Sequence, residues 1–303
     1  MSNWPELTVA RDHDTLAVLH LASQMLGKIR VAHAPWTNHG WHLALQPRAN
    51  GLETLPTAAG DGRTFTLVLD LCRHAIVLWV SDESRDELPL NAGSIAALHA
   101  RLVAMLERNR LPSRFNGSPN EIEGALPFAE DKAPRNYERD SADRLREALA
   151  ATLPVFEHYR ASFTGKSSPV HFWWGGFDLA VTRFSGRPAP QHPGGVPGLP
   201  DRITREAYSQ EEASVGFWAG GATAAEPFFY GYAYPDPPGY RDAPVVNGRF
   251  DETYGEFVLP YAEVRAAADP GQLLSGFLQS TYDAVAELGH WDRQRLEREP
   301  IAP

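Results

Sequence analysis

The side chains that could do chemistry in this 303-residue chain crowd into its second half. His171, Asp178, Arg183, Arg187, His192, Tyr208, Glu211 and Glu212 lie among Trp173, Trp174, Phe217, Trp218, Tyr230, Tyr232 and Tyr234. Aromatic rings interleaved with a few convergent polar groups make a small-molecule pocket. His171, His192 and Glu211 supply two imidazoles and a carboxylate, the ligand set of many mononuclear iron and zinc sites, with open positions for substrate or water. No His-Glu-x-x-His spacing unites them, so the three must converge from separate segments. The plainer alternative is a His171 bonded to backbone and a His192 capping a Pro/Gly turn. Arg183 and Arg187 flank Phe184-Ser185-Gly186. Their planar forks suit a carboxylate or phosphate, which makes a clamp for an anionic substrate, or else ion pairs with Asp178 or Glu211.

Other constellations carry less. His33, His39 and His42 form a second cluster, but strand alternation separates His39 from His42, so packing between lobes is the simpler reading. Ser209 and Ser214 stand near carboxylates without a Gly-x-Ser-x-Gly elbow. Asp178 and Glu211 could oppose each other as in a glycosidase, although nothing in their spacing requires it. Gly194-Gly195 and the glycines from Gly216 to Gly221 match no phosphate loop and read as turns or lid hinges. The expectation is a small-molecule enzyme with His171 as ligand or base, Glu211 as ligand or acid/base and Arg183 as anion clamp. Trp173, Trp174, Arg187, Tyr208, Trp218 and Tyr232 would surround the substrate, and one divalent metal is the cofactor these residues suggest. The alternative is a non-catalytic binding or structural protein whose aromatic motifs are packing.

These residues need elements to position them. Residues 14–26 read as a helix ended by Gly27, the usual glycine stop. A strand is expected over 36–45, and a hairpin pairs 63–70 with 75–80. Leu98, Leu102, Met105 and Leu106 give a helix over 93–108 its apolar stripe. Prolines and charges break 109–139 into an irregular crossover. A helix follows from Ser141 to about residue 163, with Pro154 inside it. Strands are expected over 170–184, 227–234 and 256–260, a Pro/Gly-rich loop over 186–200 and a last amphipathic helix over 270–288; residues 203–209 are ambiguous.

Two stretches echo one another. Gly27-Lys28, His33 and Trp36 recur as Gly165-Lys166, His171 and Trp174, at the same spacing. Each half then reads as helix, strands, helix. The expected fold is α+β: two pseudo-symmetric lobes from an internal duplication, each a mainly antiparallel sheet flanked by helices. The lobes would span 1–110 and 141–303, joined by a Pro- and charge-rich linker over 111–140, with the pocket in the second.

The runs Ser168-Pro169-Val170-His171-Phe172-Trp173-Trp174-Gly175, Phe177-Asp178-Leu179-Ala180-Val181-Thr182-Arg183-Phe184-Ser185-Gly186-Arg187 and Gly216-Phe217-Trp218 carry a resemblance. With Trp4-Pro5-Glu6-Leu7 and Gly27-Lys28-Ile29-Arg30, they resemble the bacterial proteins grouped as domain of unknown function 5996, over nearly the whole chain. The resemblance implies no particular activity.

Composition narrows the classes further. Hydrophobic residues make up 43% and charged residues 22% of the chain, enough for a sizeable core. A formal net charge of −10 argues against nucleic-acid and anionic-membrane partners, which need a basic face. A single cysteine, Cys72, rules out an internal disulfide and reads as a buried thiol. No run of about 18 apolar residues and no signal-like start are seen, so a cytoplasmic protein with a small-molecule partner is expected. The sequence says nothing of oligomeric state.

Overall fold

The computed structural model describes residues 4–196, 199–221 and 224–298. It is α+β, with two antiparallel six-stranded sheets flanked by helices. The first sheet is built from β1 (Gln46–Arg48), β2 (Gly51–Glu53), β3 (Thr57–Ala58), β4 (Thr64–Asp70), β5 (Ala75–Val80) and β6 (Arg85–Pro89). Its order is β1-β2-β4-β5-β6, with β3 on β4. The second contains β7 (His171–Trp173), β8 (Asp178–Pro188), β9 (Gln210–Trp218), β10 (Phe228–Tyr234), β11 (Arg249–Asp251) and β12 (Glu256–Pro260), in the order β11-β12-β10-β9-β8-β7. The sheets meet edge to edge at Leu45 and Phe172, whose backbones exchange hydrogen bonds of 2.9 and 2.8 Å.

Helix α1 (Val9–His33) is longer than its sequence suggests. Every residue from Val18 to Arg30 is buried, so it shows no one-sided stripe. Gly27 does not end it. The glycine sits inside the helix because the Trp174 indole lies where a Cβ would be, 2.1 Å away. Trp174 is wholly buried there, donating from Nε1 to the Leu43 carbonyl at 2.9 Å. Gly165-Lys166, by contrast, follows a helix that has already ended, so the two Gly-Lys pairs occupy different structural places. Each half has six strands between helices, but in the second a short helix (Asp201–Ala207) interrupts the strands, so the element order does not simply repeat.

α2 (Ile95–Arg108) is capped by Ser94, whose side chain accepts from the Ala97 amide at 3.2 Å. α3 (Arg139–Ala161) and α6 (Pro270–Leu288) cover one face of the second sheet. The shorter α4 (Asp201–Ala207), α5 (Tyr261–Ala266) and α7 (Arg293–Leu296) complete the helices. One apolar cluster runs through both lobes, from Leu19 and Leu67 to Phe229 and Leu278. No helix among the described residues is long and apolar enough to cross a membrane.

Several local expectations change. Residues 36–45 form a 3-10 turn (Asn38–Gly40) and an irregular run instead of a strand. The 170–184 strand is a hairpin, broken by a turn in which Phe177 takes a left-handed φ of 64°. Cys72 is exposed in the β4–β5 turn. The Pro/Gly-rich loop is shorter than 186–200, since β8 runs to Pro188; residues 197 and 198 of it lie outside the described residues.

Candidate functional site

Strand alternation gives the second sheet two different faces. Ala213, Val215 and Phe217 of β9, Leu179 and Val181 of β8 and Phe229 of β10 join the core beneath α3 and α6. The residues between them point the other way: Asp178, Ala180, Thr182 and Phe184 of β8; Glu212, Ser214 and Trp218 of β9; Tyr230 and Tyr232 of β10; Glu256 of β12; His171 and Trp173 of β7. They floor a cavity of about 240 Å³. Its cover comes from Val196 and Leu199 of the Pro/Gly-rich loop, from α4 with the following Tyr208, from His39 and Trp41 of the first lobe, and from Glu121 of the 109–138 crossover.

Four carboxyl groups face this cavity: Glu121, Asp178, Glu212 and Glu256. Burial sets their behaviour, because a charge moved out of water is disfavoured. Burial raises Asp178 to about 7, and the Glu121 charge adds to the effect against the opposing Tyr230 hydrogen bond. Burial raises Glu256 to about 8, with Asp178 adding to it. Glu212 is pushed well up by burial, although Lys166 and a hydrogen bond from Tyr232 pull it back. Glu121 is also raised by burial, against the Trp173 indole and the charge of Lys28.

Glycines let these groups approach. The Tyr230 hydroxyl donates to Asp178 Oδ2 at 2.6 Å, and its ring passes over Gly216, where a Cβ would stand 2.2 Å from the phenol. Gly216 is therefore part of the sheet floor, not a hinge. A Cβ on Gly175 would meet the Glu121 carboxylate at 2.0 Å, and Trp173 Nε1 donates to that carboxylate at 3.1 Å. The crossover that carries Glu121 is tied to α1 by a buried polar row, His20, Gln24 and Lys28. His20 Nε2 lies 2.8 Å from the Gly175 carbonyl, Gln24 exchanges bonds with the Asn120 backbone at 2.7 and 2.8 Å, and Lys28 Nζ donates to Asn120 Oδ1 at 2.6 Å.

Both cavity histidines are held neutral by burial. Each also has a neighbour that orients its ring. His39 Nδ1 bonds the Ala207 carbonyl at 2.8 Å and Nε2 accepts from Lys166 Nζ at 2.5 Å. His171 Nδ1 donates to the Pro169 carbonyl at 2.9 Å, which leaves Nε2 as an acceptor. Lys166 also bonds Gln210 Oε1 at 3.1 Å and lies over the Trp41 and Phe184 rings. Two buried oxygens of the lining, Thr204 Oγ1 and Glu256 Oε2, have no hydrogen-bond partner among the described residues.

Of the residues put forward from sequence, His171, Asp178, Tyr208, Glu212, Trp173, Trp218, Tyr230 and Tyr232 line the cavity. Glu211, Arg187, Arg183, Trp174 and His192 lie elsewhere. Glu211 is one residue out of phase with Glu212 and lies outside the lining; its carboxylate pairs with Arg187 at 2.6 Å and accepts from Ser185 Oγ at 2.8 Å. Arg187 also donates to the Gly289 and His290 carbonyls at the end of α6. Arg183 faces α3, where its buried guanidinium bonds the Tyr159 carbonyl and Ser162 Oγ beneath the Tyr159 and Tyr282 rings. Neither arginine can clamp an anion in the cavity. Trp174 is locked against α1, and His192 stacks on Tyr208 and Tyr234 outside the lining. The proposed metal set of His171, His192 and Glu211 is thus dispersed. Among the described residues no group of three or more His, Cys, Asp or Glu side chains could hold a metal ion. The Asp178–Glu211 pairing fails for the same reason of phase, and Ser214 is paired with Thr182 at 2.9 Å.

Sequence alone does not single out Glu121, Glu256 or Thr204, reads His39 as packing between lobes, and names Glu212 among the candidates without giving it a role. For Glu212 the signal was present: it shares its strand phase with Ser214, Gly216 and Trp218. Glu121 had none, since an irregular crossover gives no phase to read.

No curated protein and no solved structure matches the chain. A family model does match, over residues 4–298 and so over every element that builds the cavity. The chain belongs to the family of unknown function DUF5996.

Proposed function

We propose that the protein takes up one small organic molecule in this cavity, and that Asp178 and Glu256 move a proton to or from it there. The observation that carries the reading is the pair itself. Burial raises both carboxyls toward neutrality, with Glu121 adding to the effect on Asp178 and Asp178 to that on Glu256, and a group so poised can both hold and release a proton. Asp178 is oriented by Tyr230, while Glu256 keeps an oxygen with no partner among the described residues. Aromatic walls and a loop cover would exclude water and favour an apolar ligand body. A cavity of about 240 Å³ is somewhat larger than the roughly 150 Å³ that holds benzene, which sets a ligand of about ten non-hydrogen atoms.

The test is a thermal-shift screen of small organic molecules against the wild type and Ala180→Leu, which fills the cavity floor. A true ligand at about one hundred times its Kd stabilises the wild type by roughly 2.7 kcal/mol and leaves the filled variant unchanged. Compounds that bind are then followed for conversion by NMR. Asp178→Asn and Glu256→Gln should each lower kcat by about 10²- to 10⁴-fold with little change in KM. Hits that stabilise Ala180→Leu equally would remove the cavity as the site. Turnover indifferent to both carboxyls would remove their role.

A further inference from the structure

We infer that the molecule this cavity takes is a small organic cation, an ammonium or amidinium group carried on an apolar body. The inference rests on the cavity being a ligand site and adds the class of ligand. Its first support is charge. Among the described residues Glu121, Asp178, Glu212 and Glu256 face the space and no lysine or arginine does, so a cationic ligand would hold ionised the acids that burial otherwise pushes toward neutrality. The two nearest lysines have other partners: Lys28 donates to Asn120, and Lys166 to His39 and Gln210.

Its second support is the hydrogen-bond inventory. Several donors of the lining already have acceptors within the protein: Trp173 donates to Glu121, Trp218 to the Gly176 carbonyl and Tyr230 to Asp178, and one of the Thr182 and Ser214 hydroxyls donates to the other. Among the described residues the atoms left without a partner include two acceptors, Glu256 Oε2 and His171 Nε2, and the hydroxyl of Thr204, which is 1% exposed and can accept as well as donate. A ligand that satisfies these atoms must bring donors of its own. Ammonium and amidinium groups have only donors.

The third support is the ring set. Trp41, Trp173 and Trp218 line the space, and a cation seated against an indole ring gains attraction that adds to its charge-assisted bonds with the carboxylates. An anion would find no arginine to pair with, since Arg183 and Arg187 serve other faces. A sugar would find acceptors in plenty and few free donors.

Isothermal titration with matched probes tests this: benzylammonium, benzyl alcohol and benzoate, and the cyclohexyl set of ammonium, alcohol and carboxylate. In the wild type at pH 8 the ammonium of each set should bind at least about tenfold tighter than its alcohol, and the carboxylate should not bind. Glu256→Gln should weaken the ammonium about tenfold and leave the alcohol within about twofold. Glu212→Gln is the second variant, should Glu256→Gln fail to melt cooperatively, and Glu211→Gln is the control that changes neither. If an alcohol or a carboxylate binds as tightly as its ammonium, the ligand class is overturned while the cavity reading stands. If no probe binds, or all bind Ala180→Leu as well as the wild type, the cavity reading falls and the class with it.

Discussion

Replacing Asp178 by Asn turns the acidity of the cavity into a stability measurement. Asp178 is buried, and burial raises its carboxyl from 3.8 to about 7. Tyr230 of β10 faces it as donor, and the acids Glu121, Glu212 and Glu256 and the neutral His171 and His39 share the cavity around it. The unfolded chain releases this proton near pH 4, while the folded chain keeps it until about 7. Between those limits the folded state binds the extra proton, so stability falls as pH rises and then levels off. At roughly 1.4 kcal/mol per pH unit, the loss reaches at most about 4 kcal/mol, less whatever water entry relieves. Asparagine accepts the Tyr230 hydroxyl in the same way and has no proton to lose. It also lowers Glu256, whose acidity Asp178 helps to suppress. The expected outcome is near-equal stability of wild type and Asp178→Asn at pH 4.5, with the variant gaining steadily until about pH 7.5. Urea titrations at pH 4.5, 6, 7.5 and 9 read this as a difference, which cancels groups the substitution does not touch. A difference that stays flat with pH, or that favours the wild type as pH rises, would refute the argument by showing Asp178 ionised and paired in the folded protein.

Four further outcomes follow from the packing and the charges. Gly27→Ala drives a methyl group into the Trp174 indole, 2.1 Å away, and should cost about 1–3 kcal/mol, seen by calorimetry as a lower melting midpoint. Arg183→Met removes the donor to the Tyr159 carbonyl and Ser162 at the end of α3 and should destabilise by about 2 kcal/mol, with probe affinity unchanged in titration. Glu211→Gln weakens a partly exposed ion pair with Arg187 and should cost less than about 1 kcal/mol in a urea titration. Glu212→Gln, one residue on, should instead raise stability above neutral pH by removing a buried acid.

How much of this was legible depends on how each element meets its surroundings. α2 and α6 each show one apolar face, and the β4–β5 hairpin alternates, so periodicity places them within a few residues. α1 is buried on every side from Val18 to Arg30, so its polar row of His20, Gln24 and Lys28 faces protein as its apolar residues do and no stripe separates core from solvent. Its glycine carries the wrong message, because close approach of a tryptophan and the end of a helix call for the same residue. Trp41 and His39 belong to an irregular run whose place over the second sheet is set by the Leu45–Phe172 bridge, a contact between residues far apart in the chain.

The site itself turned on a phase of one residue. In Gln210-Glu211-Glu212-Ala213-Ser214-Val215-Gly216-Phe217-Trp218 the odd-numbered residues after Glu211 are apolar and the even-numbered ones are polar, small or aromatic. That alternation marks a strand with Ala213, Val215 and Phe217 on the core and with Glu212 beside Trp218. The same rule applied to Asp178, Ala180 and Thr182 separates Asp178 from Arg183. Read together, the two strands predict a cavity that holds the acids and excludes the arginines. The choice between an anionic and a cationic ligand therefore lay in strand phase, and composition alone, with arginines and carboxylates in the same short stretch, could not make it.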